Sequence, residues 1–217
     1  MKFLLLGATG RTGSLVLETA LEQGFQVHCL ARNSNRIAHR SGLTVFEGNP
    51  VNRDDLSRAL EGCEAVINTL NVSRTSDFPW AKLRSPETYL SDVMKNLLSF
   101  TEQQPLNRIV CCSAWGVAET RRHIPGWFRW LIDRSNIGAA YRDHERQERL
   151  LEVAAIPWTI VRPVGLSNST KKETVQESFN NDPKPSLLVS RATVARYLVA
   201  VLERDDLIRQ KVVISKK

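Results

Sequence analysis

Gly7-Ala8-Thr9-Gly10-Arg11-Thr12-Gly13 follows directly after the apolar run Phe3-Leu4-Leu5-Leu6 and precedes apolar residues at helical spacing. This order predicts a strand, a glycine loop and a helix. The glycines permit a tight turn, and the first turn of the helix offers free N–H groups and a partial positive charge to a pyrophosphate. The stretch therefore indicates a dinucleotide site formed by Gly7, Thr9, Gly10, Arg11, Thr12 and Gly13. The alternative is a tight turn that only packs helix against sheet.

The composition is that of a globular chain with a positive balance. Its 217 residues fit one domain, and 42% hydrophobic with 24% charged residues is ordinary. The net charge of +7 suits an anionic cofactor or substrate. No helix-turn-helix, zinc or RNP motif favours nucleic acid. The sequence has neither a signal-peptide pattern nor the roughly 18 apolar residues that cross a bilayer, so we expect a cytoplasmic protein.

The cysteines and histidines predict neither a disulfide nor a metal site. No CxxC pair occurs, and no histidine has a metal-ligand spacing with an acidic residue. Cys111 and Cys112 are adjacent in a strand-like run, where neighbouring side chains point to opposite faces. Two buried thiols are therefore favoured over a vicinal redox pair.

Strand-like and helix-like segments alternate over the first 160 or so residues. Most of the strand-like segments are continuous apolar runs, which is typical of parallel strands covered on both faces. We therefore predict a single α/β domain of the Rossmann type, with a doubly wound, mostly parallel sheet. Predicted strands are 2–6, 26–30, 43–47, 65–70, 108–112 and 158–162, with a last edge strand at 211–215. Predicted helices are 12–23, 52–60, 85–104, 139–155 and 190–203. Residues 114–138 and 165–189 are assigned to the substrate side, with 167–184 as a loop.

The end of the second predicted strand favours NADP(H) over NAD(H). An acidic residue here would bind the ribose 2′-hydroxyl, whereas arginine accommodates a 2′-phosphate. The segment contains Arg32, Asn33 and Arg36 but no acid, and Arg11 can add a third guanidinium group. The alternative is a solvated basic loop.

Two further strand ends supply cofactor candidates. Asn49 and Pro50 follow the third strand, beside the expected adenine, and Leu70 and Asn71 end the fourth, beside the nicotinamide ribose. Both assignments rest on the rule that ligands gather at the carboxyl ends of parallel strands. Asn49 and Asn71 can equally be ordinary turn formers.

Together, several motifs resemble the atypical short-chain dehydrogenases/reductases of the NAD(P)H-binding, NmrA-like group, and within it the biliverdin-IXβ/flavin reductase type. They are the GATGRTG loop, Arg32 after the second strand, Cys112-Ser113-Ala114, Asp143-His144, the WTIVRP strand ending at Pro163, and Ser190-Arg191-Ala192. The resemblance spans essentially the whole chain. It implies a Rossmann fold in which Ser113 and Pro163 contact the cofactor.

The catalytic pair of the wider superfamily is missing. Tyr-x-x-x-Lys does not occur, because Tyr141 is followed four positions later by Glu145. Aligned on the WTIVRP strand, Ala140 takes the tyrosine position and His144 the lysine position. We therefore assign reaction-site roles to Ser113 and His144, the latter as a group that titrates near neutral pH. The alternatives are a strand-end hydroxyl bonded to backbone and a structural histidine.

An aromatic and basic stretch lies at residues 121–130. We predict that Trp127 and Trp130 stack on a flat conjugated ring while arginines, including Arg74, meet its acidic groups. The alternatives are an aromatic satellite core and contact with a membrane interface.

Two functions fit these features. The first is an NADPH-dependent reductase of a planar conjugated acceptor, such as a flavin, a quinone-like compound or a bilin, whose proton can come from solvent. The second is a non-catalytic NADP(H)-binding redox sensor, regulator or assembly factor, which would also lack the Tyr–Lys pair.

Overall fold

Strands and helices alternate along residues 1–171 and 173–217, which the computed structural model describes. The strands are β1 Lys2–Leu6, β2 Gln26–Ala31, β3 Leu43–Glu47, β4 Ala65–Asn68, β5 Arg108–Cys112, β6 Trp158–Pro163, β7 Gly165–Ser167, β8 Val175–Ser178, β9 Leu188–Ser190 and β10 Gln210–Lys216. The α-helices are α1 Arg11–Glu22, α2 Arg53–Leu60, α3 Tyr89–Leu98, α4 Gly126–Arg134, α5 Ile137–Glu152 and α6 Arg191–Ala200.

Eight strands form one sheet in the order β3-β2-β1-β4-β5-β6-β10-β8. Every neighbouring pair is parallel except β10 and β8, which are antiparallel. The chain winds outward from β1 in both directions, so the switch point lies between β1 and β4. The predicted single-domain, doubly wound Rossmann fold is confirmed.

Helices cover both faces of the sheet, which explains the unbroken apolar strands. On β1, Phe3 and Leu5 belong to the core shared with α1 and α6. Leu4 and Leu6 belong to the opposite core, shared with α2, α3 and α5. Because both faces of the sheet are buried under helices, the central strands show no alternation of polar and apolar residues.

Side-chain caps and glycines mark the ends of several helices. The Asn52 side chain caps α2, and the Ser190 Oγ accepts a hydrogen bond from the N–H of Thr193 to cap α6. Gly24 and Gly62 follow α1 and α2 with φ of +80° and +69°, a conformation that favours glycine.

The last part of the sheet differs from the prediction. Residues 211–215 were predicted as an edge strand, but β10 lies inside the sheet because β8 pairs with it in antiparallel orientation. The predicted loop 167–184 contains that edge strand. The sequence of β8 is polar because an edge strand does not have to be buried on both faces. Its Glu177 accepts hydrogen bonds from Tyr197 and Arg204.

Two other elements are shorter than predicted. The helix predicted over 85–104 is helical as α3 only from Tyr89 to Leu98. The strand predicted over 65–70 ends at Asn68, whose Oδ1 accepts a hydrogen bond from the N–H of Leu70 and turns the chain out of the sheet. This turn places residues 69–74 at the carboxyl edge.

The adjacent cysteines occupy opposite faces, as predicted. Cys111 belongs to the core under α3 and α5, and Cys112 packs against the other core. Both are free thiols. Burial raises the pKa of the Cys112 thiol to about 12.

Candidate active site

A cleft of about 440 Å³ opens at the carboxyl edge of β1, β2, β4, β5 and β6. Most of the residues expected to bind cofactor or substrate contribute to its lining. Those at the cleft are Gly7, Thr9, Gly10, Arg11, Thr12, Gly13, Arg32, Pro50, Leu70, Asn71, Arg74, Ser113, His144 and Pro163. Residues that were not expected at the site from the sequence also line it, among them Asp77, Tyr89, Val72, Leu166 and Arg191.

The glycine loop leaves an anion site at the start of α1. Gly7 has a φ of +91°, and a Cβ on Gly13 would lie 2.1 Å from the Gly7 carbonyl oxygen. Gly10 is the N-cap without a side-chain hydrogen bond, and the first turn of α1 contains no acid. The first N–H groups of α1 are therefore free to donate to an anion, with the helix dipole adding to the attraction.

Of the predicted arginines after β2, only Arg32 reaches the cleft. Arg32 and Tyr89 both line the cleft. Burial raises the pKa of Tyr89, and the positive charge of Arg32 offsets part of that rise. Arg36 is exposed outside the cleft. Asn33 is also outside, because its Oδ1 accepts from Asn35 N–H to cap a short 3-10 helix.

Asn49 is an ordinary turn former, which was the alternative to a contact with the cofactor. Its Oδ1 accepts from Val51 N–H at 3.2 Å, and its own N–H donates to Asp55 at 3.0 Å. These bonds hold Asn49 away from the cleft, while the neighbouring Pro50 lines it.

A charged cluster stands at the mouth of the cleft. Arg11 donates to both carboxylate oxygens of Asp77, at 2.9 and 3.0 Å. Arg191 lines the same cleft, where burial and the charge of Arg11 lower its pKa and the charge of Asp77 raises it. Asp77 thus pairs with the guanidinium group of Arg11, which was expected from the sequence to bind phosphate.

Ser113 offers an unused hydroxyl at the inner end of the cleft. Its N–H donates to the Val161 carbonyl at 2.7 Å, so the backbone is held in the sheet. Its buried Oγ has no hydrogen-bond partner among the described residues. A buried hydroxyl without a partner costs free energy, and a ligand in the cleft can supply that partner.

His144 also lines the cleft and is held as a neutral side chain. The Nε2 of Gln147 lies 2.7 Å from His144 Nδ1, and the Gln147 Oε1 accepts from Asn68 Nδ2 at 3.4 Å. Because Asn68 Oδ1 is engaged by the N–H of Leu70, its amide can only donate toward Gln147. Gln147 then donates to Nδ1, which leaves the proton of His144 on Nε2.

The predicted titration of His144 near neutral pH is wrong. Burial lowers its pKa to about 4. At neutral pH the imidazole therefore acts as a fixed hydrogen-bond donor through Nε2 rather than as a cation.

Asp143, the neighbour of His144, has a structural role. Its fully buried carboxylate accepts from the N–H of Leu90 at 2.6 Å, the N–H of Ser91 at 3.3 Å and the Ser91 hydroxyl at 2.6 Å. These groups form the first turn of α3, whose own N-cap residue Thr88 makes no side-chain cap. Asp143 thus caps α3 from α5 and fixes the register of the two helices.

A buried ion pair anchors α5 to the sheet. Arg162 of β6 donates to Glu148 at 2.5 Å, and both side chains are 1% exposed. Arg162 also binds Glu119 at 2.6 Å. Burial raises the pKa of Glu119, but the hydrogen bonds from Arg162 outweigh it and bring that pKa to about 2. His144, one helical turn before Glu148, is positioned by this anchor.

The structure does not bring Trp127 and Trp130 to the cleft. The inner face of α4 packs through Phe128 against Tyr141 of α5, with ring centroids 6.0 Å apart. The two tryptophans project from the other face and are 67% and 57% exposed. Arg74 and its loop neighbours line the cleft in place of the two tryptophans.

Within residues 1–171 and 173–217, no group of three or more His, Cys, Asp or Glu side chains could hold a metal ion. No α-helix of this part of the chain is both long and apolar enough to cross a membrane.

Comparison with known proteins agrees with this geometry. The profile of a family described as NAD(P)H-binding matches residues 7–205. The chain belongs to this family. The match covers the glycine loop, Ser113 and His144, and agrees with the atypical short-chain dehydrogenase/reductase, NmrA-like group expected from the motifs.

Relatives carry different functions. "Oxidoreductase GME11367" of Pestalotiopsis microspora is 27% identical over 177 residues, covering 76% of this chain and 67% of the relative. Photosystem II assembly factor Ycf39 of Synechocystis is 35% identical over 219 residues, covering 97% of this chain but 61% of the relative. Among solved structures, ChuY, an anaerobillin reductase from Escherichia coli O157:H7, superposes with a TM-score of 0.82. It is 18% identical, and the match covers 100% of this chain and 97% of ChuY.

The cleft fits NAD(P)H. The free N–H groups of α1 suit a pyrophosphate, Arg32 stands where the adenosine ribose is bound in this fold, and Ser113 has a hydroxyl to offer at the inner end. NAD(P)H is the cofactor of this family, and these residues are the ones that would hold it.

Proposed function

We propose that the protein is an NADPH-dependent reductase of a planar conjugated acceptor, and that it works in the cytoplasm. The observation that carries this proposal is that the Ser113 hydroxyl, which has no partner among the described residues, and the neutral His144 both line the cofactor cleft. Both can donate a hydrogen bond, yet neither is a strong acid. An acceptor that delocalises the incoming electron pair suits such a site, because it needs no strong acid beside it.

Each group that lines the cleft has a proposed role in binding or reduction. The N–H groups of α1 bind the pyrophosphate, and Arg32 binds the 2′-phosphate. When bound, the nicotinamide supplies hydride from its C4 position. Ser113 orients the carboxamide or the acceptor, and the Nε2–H of His144 donates to a carbonyl or ring nitrogen of the acceptor. Water supplies the proton that completes the reduction.

The preference for NADPH is tested with Arg32 and a matched control. Arg32→Ala should weaken NADPH binding roughly ten- to a hundredfold, the effect of losing a hydrogen bond to a charged group, and leave NADH binding nearly unchanged. Arg36→Ala removes the same charge outside the cleft and should bind both like wild type. Quenching of tryptophan fluorescence reports each affinity. Equal loss of NADPH and NADH affinity in Arg32→Ala would refute the assigned contact.

The reaction itself is tested by NADPH oxidation with FMN, a naphthoquinone and biliverdin as acceptors. We expect turnover with at least one of them, lowered in Ser113→Ala while NADPH still binds. Tight NADPH binding without turnover of any acceptor would contradict the reductase.

One comparison favours a second candidate, a non-catalytic NADP(H)-binding assembly factor or regulator. The similarity to the Ycf39 assembly factor extends over 97% of this chain. This candidate predicts the outcome just named, namely NADPH binding without turnover. It also predicts that a partner protein binds the NADPH-loaded and the free form with different affinities.

A further inference from the structure

Four exposed aromatic side chains lie beside the cleft. Phe78 and Trp80 are 62% and 44% exposed, and on α4 Trp127 and Trp130 are 67% and 57% exposed. Exposed tryptophan is costly in water, and a cluster of such residues indicates a contact surface. These four residues are called the aromatic surface below.

The two segments that carry the aromatic surface are fastened together. Trp80 Nε1 donates to the carbonyl of Arg134 at 2.7 Å, at the end of α4. Asn136 donates to the carbonyls of Trp80 and Ala81 at 3.1 and 3.0 Å. The Phe78 and Trp80 rings are 5.4 Å apart. Since Trp127, Trp130 and Arg134 recur at spacings of three and four, they share one face of α4 that leads toward Trp80.

The rim of the aromatic surface is positive. Arg122, Arg129, Arg134 and Lys82 are exposed around it. The acids nearby are engaged, since Arg121 binds Asp133 and Arg11 binds Asp77. A second copy of this chain would set arginine against arginine, which disfavours a symmetric contact and favours an anionic occupant.

We propose that the aromatic surface docks on a lipid bilayer with anionic headgroups. Tryptophan prefers the boundary between headgroups and acyl chains, where its ring is in an apolar layer and its N–H stays hydrated. Arginine beside it binds the anionic headgroups. A bilayer also accepts a single helix face without a complementary groove, and α4 offers such a face.

Docking would orient the cleft toward the membrane. The loop that contributes Phe78 and Trp80 to the aromatic surface contributes Arg74, Ser76 and Asp77 to the cleft. Resting on the proposed reductase function, this placement narrows the acceptor to a planar compound that dissolves in the bilayer, such as a quinone with an apolar tail. The electron pair and proton balance as in the proposed reaction, with the quinone taking hydride from NADPH and a proton from water to give the quinol.

The test is sedimentation of the whole protein with vesicles of phosphatidylcholine, with and without phosphatidylglycerol. Wild type should bind the anionic vesicles and be released by salt. The double variant Trp127→Ala/Trp130→Ala and the charge reversal Arg129→Glu should each bind roughly tenfold more weakly or worse. Leu187→Ala, which removes an exposed apolar side chain elsewhere, should bind like wild type.

Two readouts separate docking from catalysis and from misfolding. Stabilisation by NADPH in a thermal melt should be the same in all variants, which shows an intact cleft. If the reductase proposal holds, turnover of water-soluble FMN should be unchanged in the double variant and turnover of a vesicle-embedded quinone should fall. Vesicle binding needs no acceptor, so it stands even if no acceptor is reduced. Failure of wild type to bind anionic vesicles would overturn the proposal and point to an acidic protein as occupant.

Discussion

Gly13 is the residue at which the smallest added side chain has the largest expected effect. A Cβ there would lie 2.1 Å from the carbonyl oxygen of Gly7, so the loop would have to move off α1. Gly13→Ala should abolish NADPH binding and lower the free energy of unfolding by about 1–3 kcal/mol. Urea unfolding and a fluorescence titration measure the two effects.

Gly24→Ala is the matched control for Gly13→Ala. Gly24 has a φ of +80° with nothing within 4 Å of an added Cβ, so only backbone strain of roughly 1–2 kcal/mol is expected. NADPH binding should be unchanged in this variant. Normal NADPH affinity in Gly13→Ala would mean that the loop does not hold the pyrophosphate.

Burial of His144 predicts a loss of stability in mild acid. Its folded pKa of about 4 lies below the ordinary histidine pKa of 6.5, so the unfolded chain takes up a proton first as the pH falls. The contribution of neutral His144 to the free energy of unfolding is complete above pH 6.5. It is lost progressively as the pH falls from about 6.5 to 4. It amounts to about 3 kcal/mol at most.

Urea unfolding between pH 7.5 and 4.5, roughly the window of histidine titration, measures this dependence. His144→Gln should flatten it, whereas the exposed His39→Gln should leave it as in wild type. An imidazole NMR signal from His144 that titrates near pH 6.5, the unperturbed value, would contradict the neutral Nε2–H form.

At the scale of elements, α3 depends on a cap from another helix. Asp143→Asn leaves one acceptor where the carboxylate serves two N–H groups and a hydroxyl. We expect a loss of about 1–3 kcal/mol in the free energy of unfolding, because a buried donor is left without a partner. Glu145→Gln, a neutralisation on the exposed side of the same helix, is the control. Equal stability of both variants in urea would show that α3 needs no cap.

The elements that the sequence predicted well are those whose signal is local. Continuous apolar runs located β1 to β6, and Asn52 and Ser190 marked helix starts through their own side chains. The start of α3 was missed because its cap, Asp143, lies 53 residues from Leu90. The edge strand β8 was missed because it pairs with the distant β10 and because its Glu177 binds the distant Tyr197 and Arg204.

The candidate site was predictable only in part for the same reason. The glycine loop, Arg32, Ser113 and His144 were placed at the cleft by motif and strand order. The neutral state of His144 was not, because it follows from burial in the folded chain. Its tautomer depends on Gln147, to which Asn68 donates across 79 residues of sequence. Trp127 and Trp130 were misassigned because an amphipathic stretch does not tell which face a neighbouring helix covers.

At the scale of the whole molecule, the pair of Arg11 and Asp77 joins the two sides of the cleft mouth. Both side chains are largely exposed, 59% and 79%, so the pair should contribute little to stability. The pair instead changes the electrostatic potential in the cleft, because the negative charge of Asp77 offsets the positive charges of Arg11 and Arg191. Asp77→Asn should therefore tighten NADPH binding about two- to fivefold and steepen its salt dependence.

Asp133→Asn is the control for this last change, because Asp133 of α4 pairs with Arg121 away from the cleft. It should leave NADPH affinity as in wild type at every salt concentration. Arg11→Ala should act opposite to Asp77→Asn, since it removes the guanidinium group that becomes available to phosphate. Weaker NADPH binding in Asp77→Asn would show instead that Asp77 holds Arg11 in its binding position, and the pair would then close the cleft over the bound cofactor rather than compete with it.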